Sequence, residues 1–257
     1  MDSLTIGIIS ACCVITGLLI GLYLGKTLPV SHLTDSSKDT IKMASGMIAT
    51  LSALVLGLLV ASAKNSFDTF DSAYTEIGAK VIVLDQLLTQ YGPDSAAARD
   101  ELRNAVNGEI ARIWPELNVG KPTSTALEKS GDLEPLQEKL NELNPTTENE
   151  RTVLPEARAL AADLEQSRWN LIERAQTSVP TALYVVLLSW LTMLFISIGL
   201  FAPRNFTVLT GLLLCSLSFS MAIYLFDEMA SPLDGVIKVS SGPMLKALDH
   251  LKPSDNK

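Results

Sequence analysis

Catalysis needs side chains that ionise, attack or ligate, and this chain brings few of them together. It has two histidines, His32 and His250, and three cysteines, Cys12, Cys13 and Cys215, the cysteines all inside uncharged apolar stretches. His32 stands near Asp35 and Asp39, a loose metal-like spacing that lacks a third strong ligand, so no metal site is expected. The sequence has no Gly-rich phosphate loop, no nucleophile elbow and no Cys-x-x-Cys pair. It therefore predicts neither an enzyme nor a resident cofactor.

What remains is the chemistry of packing and passage. Ser45, Ala49, Ala53, Gly57 and Ala61 recur every four residues, with Thr50 and Ser52 among them; Gly17, Gly21 and Gly25 form a second such ridge. Small residues at this spacing let helix backbones approach closely where lipid supplies no hydrophobic drive. The same hydroxyls and small side chains also suit the wall of a passive pore, with rings of charge at its mouths. Both readings fit the second ridge. Candidate mouth charges are Lys42, Lys64, Arg204, Asp227 and Glu228, each of which serves equally well as an interfacial anchor. No Asp, Glu, Lys, Arg or His falls inside the apolar stretches, which counts against a proton- or ion-coupled transporter.

The elements that carry these residues follow from hydropathy. The 257 residues are 47% hydrophobic and 19% charged, below the roughly 25% charge of a soluble domain. Four uncharged stretches, at about 4–24, 44–63, 181–201 and 206–226, explain the deficit. Each is long enough to cross a hydrocarbon core of about 30 Å. The first is not expected to be a cleaved signal, because Met1-Asp2-Ser3 carries no Lys or Arg and the apolar run is too long. The predicted fold is an all-α membrane protein with four transmembrane helices. Residues 1–63 form a first hairpin, 64–180 an acidic, helical, coiled-coil-like soluble insert, 181–226 a second hairpin, and 227–257 a tail that docks on the insert.

Beyond Lys64, apolar and aromatic residues recur as Phe67, Phe70, Tyr74, Ile77, Val81, Leu84, Leu88 and Tyr91, in alternating steps of three and four. That is a heptad seam continuing the second span, and Gly92-Pro93 ends it. Asp94 is expected to cap the next helix, with Leu102, Val106, Ile110 and Ile113 facing inward until Trp114-Pro115 breaks it. Residues 115–131 read as a loop. Leu133, Leu136, Leu140 and Leu143 mark a short amphipathic helix. Thr147 and Glu150 form a capping box for the helix that feeds the third span, with a kink expected at Pro180. In the tail, Ser231 to Gly235 suggests a turn, Val236 to Val239 a short extended segment, and Gly242-Pro243 a helix start.

Charge is uneven. Residues 64–180 hold 12 Lys and Arg against 20 Asp and Glu, which accounts for the whole net charge of −8. An acidic insert argues against nucleic acid as a partner and against its docking on anionic lipid. Four spans put both termini and the insert on one side. Basic residues near the span ends are equal on the two sides, so the positive-inside rule does not choose between them. Asp2 before and Lys26 after the first span would by themselves leave the N-terminus outside.

The run from His32 through Asp39-Thr40-Ile41-Lys42 and Gly46-Met47-Ile48-Ala49-Thr50 to Lys64 resembles the bestrophin-like membrane proteins of bacteria. So do Tyr91-Gly92-Pro93, Ile113-Trp114-Pro115, Arg168-Trp169, Ala202-Pro203-Arg204-Asn205 and Gly235 to Ser241. The family is related to bestrophins, pentameric ion channels with four spans and a helical cytosolic region between the second and third. The resemblance implies a homo-oligomer, most simply a pentamer, in the inner membrane, passing ions. It also implies that the insert and both termini are cytoplasmic. The alternative reading is a membrane-anchored helical scaffold or sensor whose insert binds a protein partner of unknown identity.

Overall fold

A computed structural model describes residues 3–29, 34–117, 133–175, 181–233 and 235–252. His32, most of the loop expected at 115–131, the Pro180 kink and Asp234 of the tail turn lie outside the described residues. All regular structure among the described residues is helical. The helices are α1 (Ser3–Thr27), α2 (Asp35–Tyr91), α3 (Ala96–Ile113), α4 (Glu134–Glu142), α5 (Glu148–Ala175), α6 (Thr181–Phe201), α7 (Phe206–Ala230) and α8 (Gly242–His250). Four of them, α1, α2, α6 and α7, are long and apolar enough to cross a membrane. The chain divides into two compact units, Met1–Phe67 with Ser178–Ile237, and Asp68–Thr177 with Lys238–Lys257.

In the first unit, Val14 and Leu18 of α1, Leu187, Leu191, Leu194 and Phe195 of α6, and Ile223 of α7 form one buried cluster. The glycine ridge of α1 is what lets it form. A Cβ at Gly17 would stand 2.9 Å from the Thr192 carbonyl oxygen, and one at Gly25 would stand 2.5 Å from that of Leu200. A Cβ at Gly21 would run into the Ile196 carbonyl. The contact is reciprocal, since a Cβ at Gly199 would lie 2.6 Å from the Leu18 carbonyl oxygen. Backbone therefore meets backbone along α1 and α6, as small-residue ridges permit. Helices α6 and α7 are joined by 202–205 alone, with Asn205 extended at the start of α7.

In the second unit the seam of α2 forms the core. Phe70, Tyr74, Ile77, Val81, Leu84, Leu88 and Tyr91 are all buried within the single chain. Tyr91 packs with Val153 and Leu154 of α5. The Lys80 ammonium reaches Asp163 of α5 at 2.8 Å, and Arg99 of α3 pairs with Asp85 at 2.7 Å. Gly78 lets the start of α8 approach, the Pro243 carbonyl oxygen lying 3.0 Å from where its Cβ would be. The seam is thus covered by α3, α5 and α8 of its own subunit.

Helix α2 stops at Gly92, whose φ of 114° belongs to the region that favours glycine. Asp94 does not cap α3. Pro93 opens a short 3₁₀ turn through Ser95, and the Ser95 hydroxyl turns back to the Leu88 and Gly92 carbonyls. The capping box of α5 forms: the Glu150 amide donates to Thr147 Oγ1, and the Glu150 carboxylate accepts the Thr147 and Thr146 amides. Helix α8 begins at Gly242-Pro243, burying Met244 and Leu248.

Candidate functional site

The seven small or hydroxyl residues of the second span do not share one face. Ser52 is buried, Ser45 and Ala49 are half-buried, and Thr50, Ala53, Gly57 and Ala61 are exposed. The reason is helical geometry. A step of four residues overshoots one turn by about 40°. A ridge that starts at Ser45 against the chain's own helices has therefore wound away from them by Gly57 and Ala61. No heavy atom lies within 4 Å of where a Gly57 Cβ would be. Thr50 Oγ1 bonds the Gly46 carbonyl of its own helix at 3.0 Å. The Ser52 hydroxyl is buried and has no hydrogen-bond partner among the described residues.

The five flanking charges also divide. Lys42 and Lys64, which bracket the span, are exposed. Arg204 is exposed and donates to the Leu22 carbonyl at 3.3 Å. Asp227 and Glu228 are buried. The Tyr184 hydroxyl donates to Asp227, and the Glu228 carboxylate accepts the amides of Val236 and Ile237. These two acids hold α6, α7 and the chain beyond α7 in place, and in the single chain neither faces solvent.

A polar cluster in the second unit was not anticipated. Glu109 of α3 is buried, accepts the Tyr74 hydroxyl at 3.1 Å and Arg112 at 2.7 Å, and has Arg168 of α5 at 3.9 Å. Trp114 packs edge-on against Tyr74 and donates from Nε1 to the Val239 carbonyl at 3.0 Å. Lys238 donates to the Ile113 carbonyl at 2.9 Å, and Asp71 accepts the Ser240 amide at 3.2 Å. Burial, and then the negative charge of Glu109, push the Tyr74 phenol far above its ordinary pKa. The sequence did hold the signal: Glu109 falls among Val106, Ile110 and Ile113 on the apolar face of α3, where a carboxylate must find partners. Among the described residues no three His, Cys, Asp or Glu side chains converge as metal ligands.

Four helices long and apolar enough to cross a membrane, beside a second helical unit with a buried polar cluster, mark an all-helical membrane protein. A family model for the bestrophin-like domain matches residues 12–244, and the chain belongs to that family. No curated protein matches it, and no solved structure does.

Proposed function

We propose that the protein is a passive ion channel formed by several copies of the chain, most simply five, with the second span lining the path. One observation carries the reading. In the most apolar window of α2 only 6% of residues are buried within the chain, against 28% for α1 and for α6. A membrane helix with a small-residue ridge and so little intrachain cover is suited to face other copies and a shared axis. Family membership adds to this, because the bestrophins it resembles are oligomeric channels. The scaffold reading drew on the heptad seam, and that seam is already covered inside the subunit.

In this reading Ser45, Ala49, Thr50, Ser52, Ala53, Gly57 and Ala61 divide between packing and pore wall. Lys42, Lys64 and Arg204 supply charge near its ends. The protein lies in the inner membrane, with residues 64–180 as the soluble insert on the cytoplasmic side together with both termini. The test is reconstitution of purified full-length protein in liposomes and measurement of ion flux. Wild type should conduct without a coupled gradient. No current under any ionic condition would remove the channel.

A further inference from the structure

The first unit contains a cavity of about 590 Å³ between the start of the second span, the end of α6 and the start of α7. That volume is within the ~300–1,000 Å³ typical of small-molecule sites. Its walls are largely apolar, with Ala49, Leu194, Phe201 and Leu212 among them. Lys38 and Lys42 line one end, next to the Ser45 hydroxyl. Asp35 and Asp39 stand on the same turns of α2 but do not line it. A second groove of about 370 Å³, with Arg204 in its lining, adjoins through Ala202, Pro203, Val208 and Leu212.

The chemistry of the lining selects an amphiphile. A free anion gains nothing from a long apolar wall, and a neutral acyl chain does not need two ammonium groups. The apolar stretches of a second copy carry no Asp or Glu to answer those lysines. A phosphate on an acyl chain answers both features. We propose that this cavity binds one anionic phospholipid per chain, its headgroup on Lys38 and Lys42 and one acyl chain laid between α2, α6 and α7. The site does not depend on whether the protein conducts.

Native mass spectrometry of the full-length protein, titrated with phosphatidylglycerol or phosphatidylcholine, tests this. Wild type should hold one phosphatidylglycerol per chain in preference to phosphatidylcholine. Each lysine near an anionic lipid is worth about fivefold in affinity, so Lys38→Gln with Lys42→Gln should weaken phosphatidylglycerol about thirtyfold and leave phosphatidylcholine unchanged. Gly46 lines the cavity and has no heavy atom within 4 Å of where its Cβ would be, so Gly46→Leu should fold normally, fill the space and reduce binding of both lipids. Lys246→Gln, an exposed charge on α8, should change nothing. The proposal is overturned by any of four results. These are equal retention of the two lipids by wild type, displacement of phosphatidylglycerol by inorganic phosphate, and an equal loss with Lys246→Gln. The fourth is a Gly46→Leu variant that changes oligomer mass while lipid binding stays the same, which would make the groove a contact between copies.

Discussion

Buried Glu109 would be costly alone, and Tyr74, Arg112 and Arg168 divide the task of satisfying it. This arrangement gives the insert an alkaline limit. A folded-state pKa held above the ordinary 10.0 means that the folded phenol keeps its proton while the unfolded one releases it. The stabilisation is therefore complete below pH 10 and declines as pH rises above it. Lys80 adds to the same slope: its burial favours the neutral amine, but the bonds to Asp163 and Glu76 outweigh that and raise its pKa. Tyr74→Phe should cost about 1.5–3 kcal/mol at neutral pH, as expected for a hydrogen bond to a charged group. It should also flatten the alkaline decline in melting temperature of the full-length protein in detergent. An unchanged slope on both sides of pH 10 would show that the phenol is not what limits the fold. The residue scale is also where the sequence was least legible. Asp227 and Glu228 read as candidate mouth charges because they end an apolar run, and the sequence gives no sign that Tyr184 and the Val236 amide are their partners within the chain.

At the scale of elements the spacing told more. Every position of the three-four alternation from Phe70 to Tyr91 is buried, because burial on a helix follows its period, though the alternation did not mark Gly78 and Asp85 beside it, which are buried too. What spacing could not tell is who covers the face. A heptad seam reads the same whether its partner is another copy or, as here, α3, α5 and α8 of the same chain. The two small-residue ridges make the point again. They look alike in sequence, yet that of α1 is used up inside the subunit and that of α2 turns outward. The difference predicts opposite phenotypes. Gly21→Ala places a methyl into the Ile196 carbonyl, next to the backbone of Gly199, and should lower the melting temperature of the subunit itself. Overpacking of this kind typically costs ~1–3 kcal/mol, and more where backbone must move. Gly57→Leu meets nothing within 4 Å in its own chain, so it should leave subunit helicity intact and act on assembly. Size-exclusion chromatography with light scattering, beside melting curves, separates the two. A Gly57→Leu protein with wild-type mass and wild-type melting would mean that this face meets only lipid.

For the whole molecule, the class was legible and the orientation was not. Four uncharged stretches suffice for an all-helical membrane protein, since hydropathy and length alone decide whether a helix can span. Sidedness depends instead on charge differences, and here the basic residues at the two sets of span ends balance. The proposed cytoplasmic insert is checked by fusing a reporter active only in the periplasm to the C-terminus, which should stay dark. Activity of that fusion would put the acidic insert outside. The absence of Phe, Tyr and Trp between Ala44 and Ala63 also has a consequence at this scale. A constriction lined by residues 44–63 would be built from aliphatic, thioether and hydroxyl side chains, so it would gate by dewetting or backbone movement rather than by aromatic rotation.

The channel reading makes its clearest commitment at Lys64. The residue is exposed and ends the uncharged run of α2, shortly before the second unit begins at Asp68. In a symmetric pore lined by α2 it repeats once per subunit, so a single substitution changes a whole ring of charge. Such a ring raises the local concentration of counter-ions and thereby biases selectivity. The acidic insert, with 20 carboxylates against 12 basic residues, works in the opposite sense, so the wild-type preference reflects both. The change between variants is still determined in sign. Lys64→Glu should move the reversal potential under a salt gradient towards that of the cation. The shift should shrink at high ionic strength, where the Debye length falls from about 10 Å at 0.1 M to about 3 Å at 1 M. Lys80 is a poor control, because it is paired with Glu76 and Asp163 and its reversal would disturb the insert. Lys246→Glu, exposed on α8, makes the same charge change without breaking an ion pair seen among the described residues, and should shift the potential much less. If wild type conducts and Lys64→Glu moves the reversal potential no further than Lys246→Glu does, then α2 does not line the path.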